Sequence, residues 1–195
     1  MIKIGLTGSI GSGKSTVLNL FKNYGFLILD LDLEAKKIIK KNTEEYKKIV
    51  DFFGKNILNK EYAIDGKILA DIVFSDLLKK KALENIIYPT LRTNIDRILK
   101  ISKEPAAIIE GAVIIESGYY LKLDKTILVT CDLPGRIKRT HKKFYFDDFI
   151  KRDKSQLSQA EKIIKSDFII NNNYGLKFLT PQVELFVSFL KNTLI

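Results

Sequence analysis

Five short apolar stretches recur along the chain: "IKIGLTG" (2–8), "FLILDLD" (26–32), "AAIIEGAVII" (106–115), "KTILVTCD" (125–132) and "DFIINN" (167–172). They are rich in Ile, Leu, Val and Phe, as expected of strands buried on both faces of a parallel sheet. Helical patterns lie between them. Residues 13–24 read as the first helix and 33–53 as one or two more. Residues 69–99 read as helices interrupted at Tyr88-Pro89, because proline lacks the backbone donor a helix interior needs. Strands alternating with helices imply an α/β fold, a parallel sheet with right-handed crossovers. The helical stretch 33–100, between the second and third strands, reads as a subdomain over the strand ends. "GRIKRTHKKFYFDDFIKR" (135–152) reads as a mobile cover. No repeat or low-complexity linker marks an independent second domain.

Composition narrows the class. With 195 residues, 46% of them hydrophobic, the chain can build one large domain, or one domain with an inserted subdomain. It has no run of about 18 apolar residues to span a bilayer, and "MIKIGLTG" opens a strand rather than a signal peptide, so a cytoplasmic protein without membrane contact is expected. The single cysteine, Cys131, excludes internal disulfides and Cys-cluster metal sites, and its apolar run "TILVTC" reads as a buried small side chain. The net charge of +10 raises the question of nucleic acid. Yet 28 of the 33 basic residues are lysines, scattered over runs such as "KKIIKKNTEEYKK", and no nucleic-acid module appears. Solvated helix faces explain these runs better, and no nucleic-acid partner is expected. His141, the one histidine, has no second metal ligand nearby and reads as surface.

The chemistry begins at "GLTGSIGSGKST" (5–16), which contains Gly-x4-Gly-Lys-Ser from Gly8 to Ser15. Between a strand and a helix, glycines let backbone N–H groups turn inward around phosphates, and the helix start adds its positive dipole end. Gly8, Ser9, Ile10, Gly11, Ser12, Gly13, Lys14, Ser15 and Thr16 are the expected nucleotide-binding residues, with Lys14 on the β and γ phosphates and the Ser15 hydroxyl on Mg2+. ATP or GTP binding follows; kinase activity does not, since switches and ATPases share the loop. Asp30 and Asp32, near the end of the second strand, are expected on one side of it, facing the phosphate loop. There a carboxylate can take a proton from an attacking hydroxyl or hold Mg2+, while Asp32 could equally cap the next helix. Arg136, Arg139 and Lys143, at helical spacing, would form one basic face that suits a lid over a transferring phosphoryl group; a charged surface helix is the alternative.

With these residues in view, the sequence resembles the dephospho-CoA kinases nearly end to end. The resemblance is carried by "IGLTGSIGSGKST", "LDLDLEAKKII", "IDGKILADIVFSD", "LENIIYPTLR", "IIESGYY" and "RDKSQLSQAEKIIKSDFIINN", in that order. In the last, Arg152, Gln156, Lys162, Asp167 and Asn172 recur at the family's separations. The resemblance implies a three-layer P-loop NTPase core with a parallel five-stranded sheet (about 1–32 and 105–195), a helical CoA-domain insert (about 33–104) and a short lid (about 136–152). It implies ATP and Mg2+ as co-substrate and ion, and transfer of the γ-phosphoryl to the 3′-hydroxyl of dephospho-CoA. Asp32 is similar to the family's base, Asp30 to its partner carboxylate and a metal-shell residue, and Arg139 to the lid arginine. Asn172 lies where the family borders the adenine. Tyr88, Arg92 and Glu116 match substrate-binding positions. A monomer or small homo-oligomer is expected. This chain departs from the family at Tyr88 (usually His), Gly66 (usually Arg), Ala112 (usually Pro) and Lys143 (usually a second lid Arg). The rival readings are another small-molecule kinase, of nucleoside, nucleotide or shikimate type, and a nucleic-acid-dependent ATPase.

Overall fold

In the computed structural model, which describes residues 1–193, β1 (Ile2–Thr7), β2 (Leu27–Asp30), β3 (Ala106–Glu110), β4 (Lys125–Thr130) and β5 (Phe168–Asn171) form one sheet in the order β2-β3-β1-β4-β5. Every pairing is parallel. The helices are α1 (Lys14–Lys22), α2 (Leu31–Ile38), α3 (Glu44–Phe53), α4 (Gly66–Ser75), α5 (Leu77–Ile101), α6 (Leu133–Thr140), α7 (Phe146–Lys154), α8 (Gln159–Ile164) and α9 (Leu176–Thr193). The chain divides into two compact units. One is Met1–Asp30 together with the chain from Ser102, and the other is Leu31–Ile101.

The first unit contains the sheet. Ala106 to Ile109 of β3 are completely buried, as the unbroken apolar run required. α1 and α9 pack on one face through Val17, Leu18, Phe21, Leu179, Val183, Phe186 and Leu190, against Ile4, Leu6, Ile108, Ile127 and Val129. Phe21 meets Phe26 and Phe186 edge-on, with centroids 5.8 Å apart in both pairs, the arrangement ring quadrupoles favour. The carboxyl ends of the strands therefore have rigid support. No helix among the described residues is long and apolar enough to cross a membrane.

The second unit is helical. Thr43 caps α3 by accepting from Tyr46 N–H, and Asp65 caps α4 by accepting from Lys67 and Ile68 N–H. α5 packs against α2, α3 and α4. Three expected boundaries are corrected. α5 runs unbroken through Pro89, because burial of Ile87, Leu91 and Ile95 on one face outweighs the roughly 3 kcal/mol that an interior proline costs. The third strand ends at Glu110, and the apolar residues after it form turns, with Ser117 N–H bonded to the Val113 carbonyl and Gly118 N–H to that of Ile115. β2 ends at Asp30, and Asp32 stands in the first turn of α2. There acidic residues face the positive end of the helix dipole, with Lys36 and Lys37 at the other end. The strand alternation expected to align Asp30 with Asp32 is therefore absent.

Candidate active site

The loop from Gly8 to Gly13 joins β1 to α1. Ser12 N–H closes a turn onto the Ser9 carbonyl at 3.1 Å, and Gly13 takes a left-handed conformation (φ 93°, ψ 28°) immediately before the helix. The N–H groups of Gly13 and Ser15 take no acceptor among the described residues, so they remain available to an anion at the positive end of α1. Lys14 lies back across the loop, donating from Nζ to the Gly8 carbonyl at 2.9 Å and standing 4.0 Å from the Glu110 carboxylate. Ser15 is exposed, while Ser9 and Ser12 are buried.

Side chains from distant parts of the chain hold this loop from outside. Gln156 Oε1 accepts Ile10 N–H at 3.1 Å, and Arg136 Nη1 reaches the Ile10 carbonyl at 3.5 Å. The Ser12 carbonyl accepts from Asn172 Nδ2 at 2.9 Å and from Arg139 Nη1 at 3.3 Å. Arg139 also donates to the Asn172 carbonyl at 2.6 Å, which joins α6 to the end of β5. These clamps explain two glycines. A Cβ on Gly11 would sit 2.6 Å from the Arg136 carbonyl, and one on Gly13 would collide with the Asn172 amide.

Asp30 and Glu110 are register partners at the carboxyl ends of β2 and β3, so their side chains leave the sheet on the same face. Glu110 is 8% exposed and lies beside Lys14. The sequence reading missed it by taking "AAIIEGAVII" as one strand. The signal was four apolar residues ending in an acid. Among the described residues no three His, Cys, Asp or Glu side chains gather as a metal cluster. A hydroxyl on Ser15 and carboxylates on Asp30 and Glu110 are nonetheless hard oxygen donors of the kind Mg2+ takes alongside phosphate oxygens and water.

In the helical unit, Asp32 is exposed on α2, and Glu84, Tyr88 and Arg92 follow at four-residue spacing along one face of α5. Burial pushes the Tyr88 hydroxyl well above the usual phenol range. The charge and hydrogen bond of Glu84 reinforce this, Asp32 adds to it weakly, and Arg92 opposes it. Tyr88 therefore stays a neutral donor at every physiological pH.

Several expectations on the cover segment change. α6 ends at Thr140, so Lys143 lies beyond the helix and does not share a face with Arg136 and Arg139. Arg136 is 8% exposed and turned inward. It is ion-paired with Asp153 and stacked over Phe149, which ties α6 to α7. His141 is exposed, with Nδ1 2.6 Å from the Lys138 carbonyl, and Cys131 is buried. Glu116 is held by Lys162 at 2.9 Å and by Leu157 N–H at 3.0 Å, both on Oε1, while its buried Oε2 has no partner. Thus Gly8 to Thr16, Asp30, Arg139 and Asn172 are gathered in the first unit. Asp32, Tyr88 and Arg92 share the second.

The profile of the dephospho-CoA kinase family matches residues 2–177. The dephospho-CoA kinase of Aquifex aeolicus is 37% identical over 186 residues, 94% of this chain and 95% of its own. The solved dephospho-CoA kinase of Campylobacter jejuni is 32% identical with a TM-score of 0.68, covering 99% of this chain and 98% of that one. The crystal structure of TT1252 from Thermus thermophilus superposes with a TM-score of 0.84 at 28% identity, over 100% of this chain and 98% of that one. With the phosphate loop, its clamps and the parallel sheet in place, the chain belongs to the dephospho-CoA kinase family.

Proposed function

We propose that this protein transfers the γ-phosphoryl group of ATP to the ribose 3′-hydroxyl of dephospho-CoA, giving CoA and ADP in the last step of coenzyme A synthesis. The observation that carries the reading is the loop at Gly8 to Thr16, gripped from outside with Lys14 and the Asp30–Glu110 pair beside it. Loop N–H groups and Lys14 bind the β and γ phosphates, and Asn172 borders the adenine. The Ser15 hydroxyl and the carboxylates of Asp30 and Glu110 would hold Mg2+, which would offset the negative charge of the phosphates.

Asp32 accepts the proton of the acceptor hydroxyl. The 3′-oxygen forms its bond to the γ-phosphorus while the bond to the β,γ-bridging oxygen breaks, and ADP leaves. Lys14 and Arg139 stabilise the charge spread over the moving group. In this reading the segment 136–152 is the lid whose closure excludes water, and the helical insert, residues 33–104, carries the acceptor contacts Tyr88 and Arg92. Glu116 is assigned to substrate binding with them. The protein works in the cytoplasm.

A coupled ADP-release assay with Mg-ATP and a panel of dephospho-CoA, AMP, nucleosides and shikimate tests the reading. Turnover on dephospho-CoA with a product heavier by one phosphoryl group is expected. An inert dephospho-CoA beside another phosphorylated acceptor would refute the substrate while sparing the ATP site.

A further inference from the structure

Gln156 lies in the connection between α7 and α8, 146 residues from the loop whose apex it holds. A phosphate loop presents N–H groups inward, and any amide that points outward needs another acceptor. Ile10 N–H has that acceptor in Gln156 Oε1 at 3.1 Å. The segment bearing Gln156 is itself fixed by its next residue. Leu157 N–H donates to Glu116 Oε1 at 3.0 Å, and the same oxygen receives Lys162 Nζ at 2.9 Å. Lys162 is completely buried and also donates to the Ala112 carbonyl at 3.0 Å. An unbroken chain of polar contacts thus runs from the turn after β3, through Lys162 and Glu116, to the backbone beside Gln156 and on to Ile10.

We propose that Gln156 is a positioning residue for nucleotide binding. It holds the apex of the phosphate loop in its anion-binding shape, and the Glu116–Lys162 pair sets Gln156. This rests on the reading of Gly8 to Thr16 as the ATP site. A glutamine that served only the fold would contribute equally to every property of the enzyme, whereas a loop-positioning glutamine acts on ATP before it acts on the acceptor.

The test is Gln156→Met, which keeps the length of the side chain and removes the acceptor. ATP affinity is measured by calorimetry without acceptor, Ile10 amide exchange by NMR, and KM for dephospho-CoA in the coupled assay. Loss of this bond should weaken ATP binding about five- to tenfold, the equivalent of roughly 1 to 1.4 kcal/mol. Ile10 should lose exchange protection, and KM for dephospho-CoA should stay within about twofold. Gln156→Glu, which still offers an oxygen to Ile10 N–H, should restore the protection. Wild-type ATP affinity in the methionine variant would overturn the proposal. So would a parallel rise of the ATP and dephospho-CoA constants with a lowered melting temperature. Failure of the wild-type protein to bind ATP would refute the underlying site, and that result is visible before any variant is made.

Discussion

Replacing Lys162 by methionine should destabilise the protein far more than the modest change in shape implies. The lysine is completely buried, and its ammonium donates to Glu116 Oε1 at 2.9 Å and to the Ala112 carbonyl at 3.0 Å. Methionine fills much of the same volume, so packing changes little and charge compensation is what disappears. Glu116 would keep only Leu157 N–H, since its Oε2 already lacks a partner. Removing one member of a buried pair costs about 3–5 kcal/mol. That is a large fraction of the roughly 5–15 kcal/mol that holds a typical domain folded. Glu116→Leu leaves the opposite defect, a buried ammonium with only a carbonyl, at a similar cost. The double variant contains no buried charge and instead orphans Leu157 N–H, at about 1–3 kcal/mol, while the Ala112 carbonyl keeps the Thr7 hydroxyl at 3.4 Å. It should therefore be scarcely less stable than either single variant, with a coupling energy of at least about 2 kcal/mol. Urea unfolding of the four proteins, followed by circular dichroism and extrapolated linearly, measures each quantity. A single-variant loss under about 1 kcal/mol, or additivity within about 0.5 kcal/mol, would refute the reasoning.

Three further outcomes are expected. Asp32→Asn should leave ATP binding near normal and lower turnover at least about 100-fold; an active variant would remove the base assignment. Gly13→Ala should weaken ATP binding about tenfold or more in a nucleotide titration. Its φ of +93° disfavours an L side chain and the added methyl would displace the Asn172 amide from the Ser12 carbonyl. Tyr88 should leave the pH–rate profile near neutrality unaltered, because its folded-state hydroxyl titrates above the ordinary value near 10. The sign for stability follows. The unfolded chain releases this proton first, so the contribution is intact below about pH 10 and is lost as pH rises toward the folded value. Denaturation of Tyr88→Phe at about pH 9 and 11 should show a shallower loss than wild type, and equal losses would contradict it.

Much of the sheet was legible because a strand buried on both faces must be apolar at every position, as in "AAII" of β3. The loop was legible for a related reason: Gly11 and Gly13 are imposed by close approach and left-handed backbone. What failed to read through was decided by packing. Pro89 looked like a helix break until the apolar face of Ile87, Leu91 and Ile95 is set against it. Asp32 looked like a strand residue because local spacing does not show where a strand yields to a helix, and Glu110 was hidden inside an apolar run continued too far. Arg136 carried the right charge for a lid and points instead to Asp153.

The fingerprint at the C-terminal end has a physical account that spacing alone could not supply. Gln156 holds the Ile10 amide, Lys162 the Ala112 carbonyl, Asp167 the Thr126 amide at the start of β4, and Asn172 the Ser12 carbonyl. Each of these side chains reaches a backbone group, and two of the four lie in the phosphate loop. Backbone groups are present whatever residue occupies the position, so such bonds constrain the side chain that makes them and leave the partner's identity free. That explains how Ala112, which departs from the family's usual proline, still accepts from Lys162, since proline too has a carbonyl to offer. Tyr88 and Gly66 lie in the helical unit, outside this set of contacts. On the proposed reading their departures would bear on the acceptor, while the phosphate loop is held by Gln156, Arg139 and Asn172.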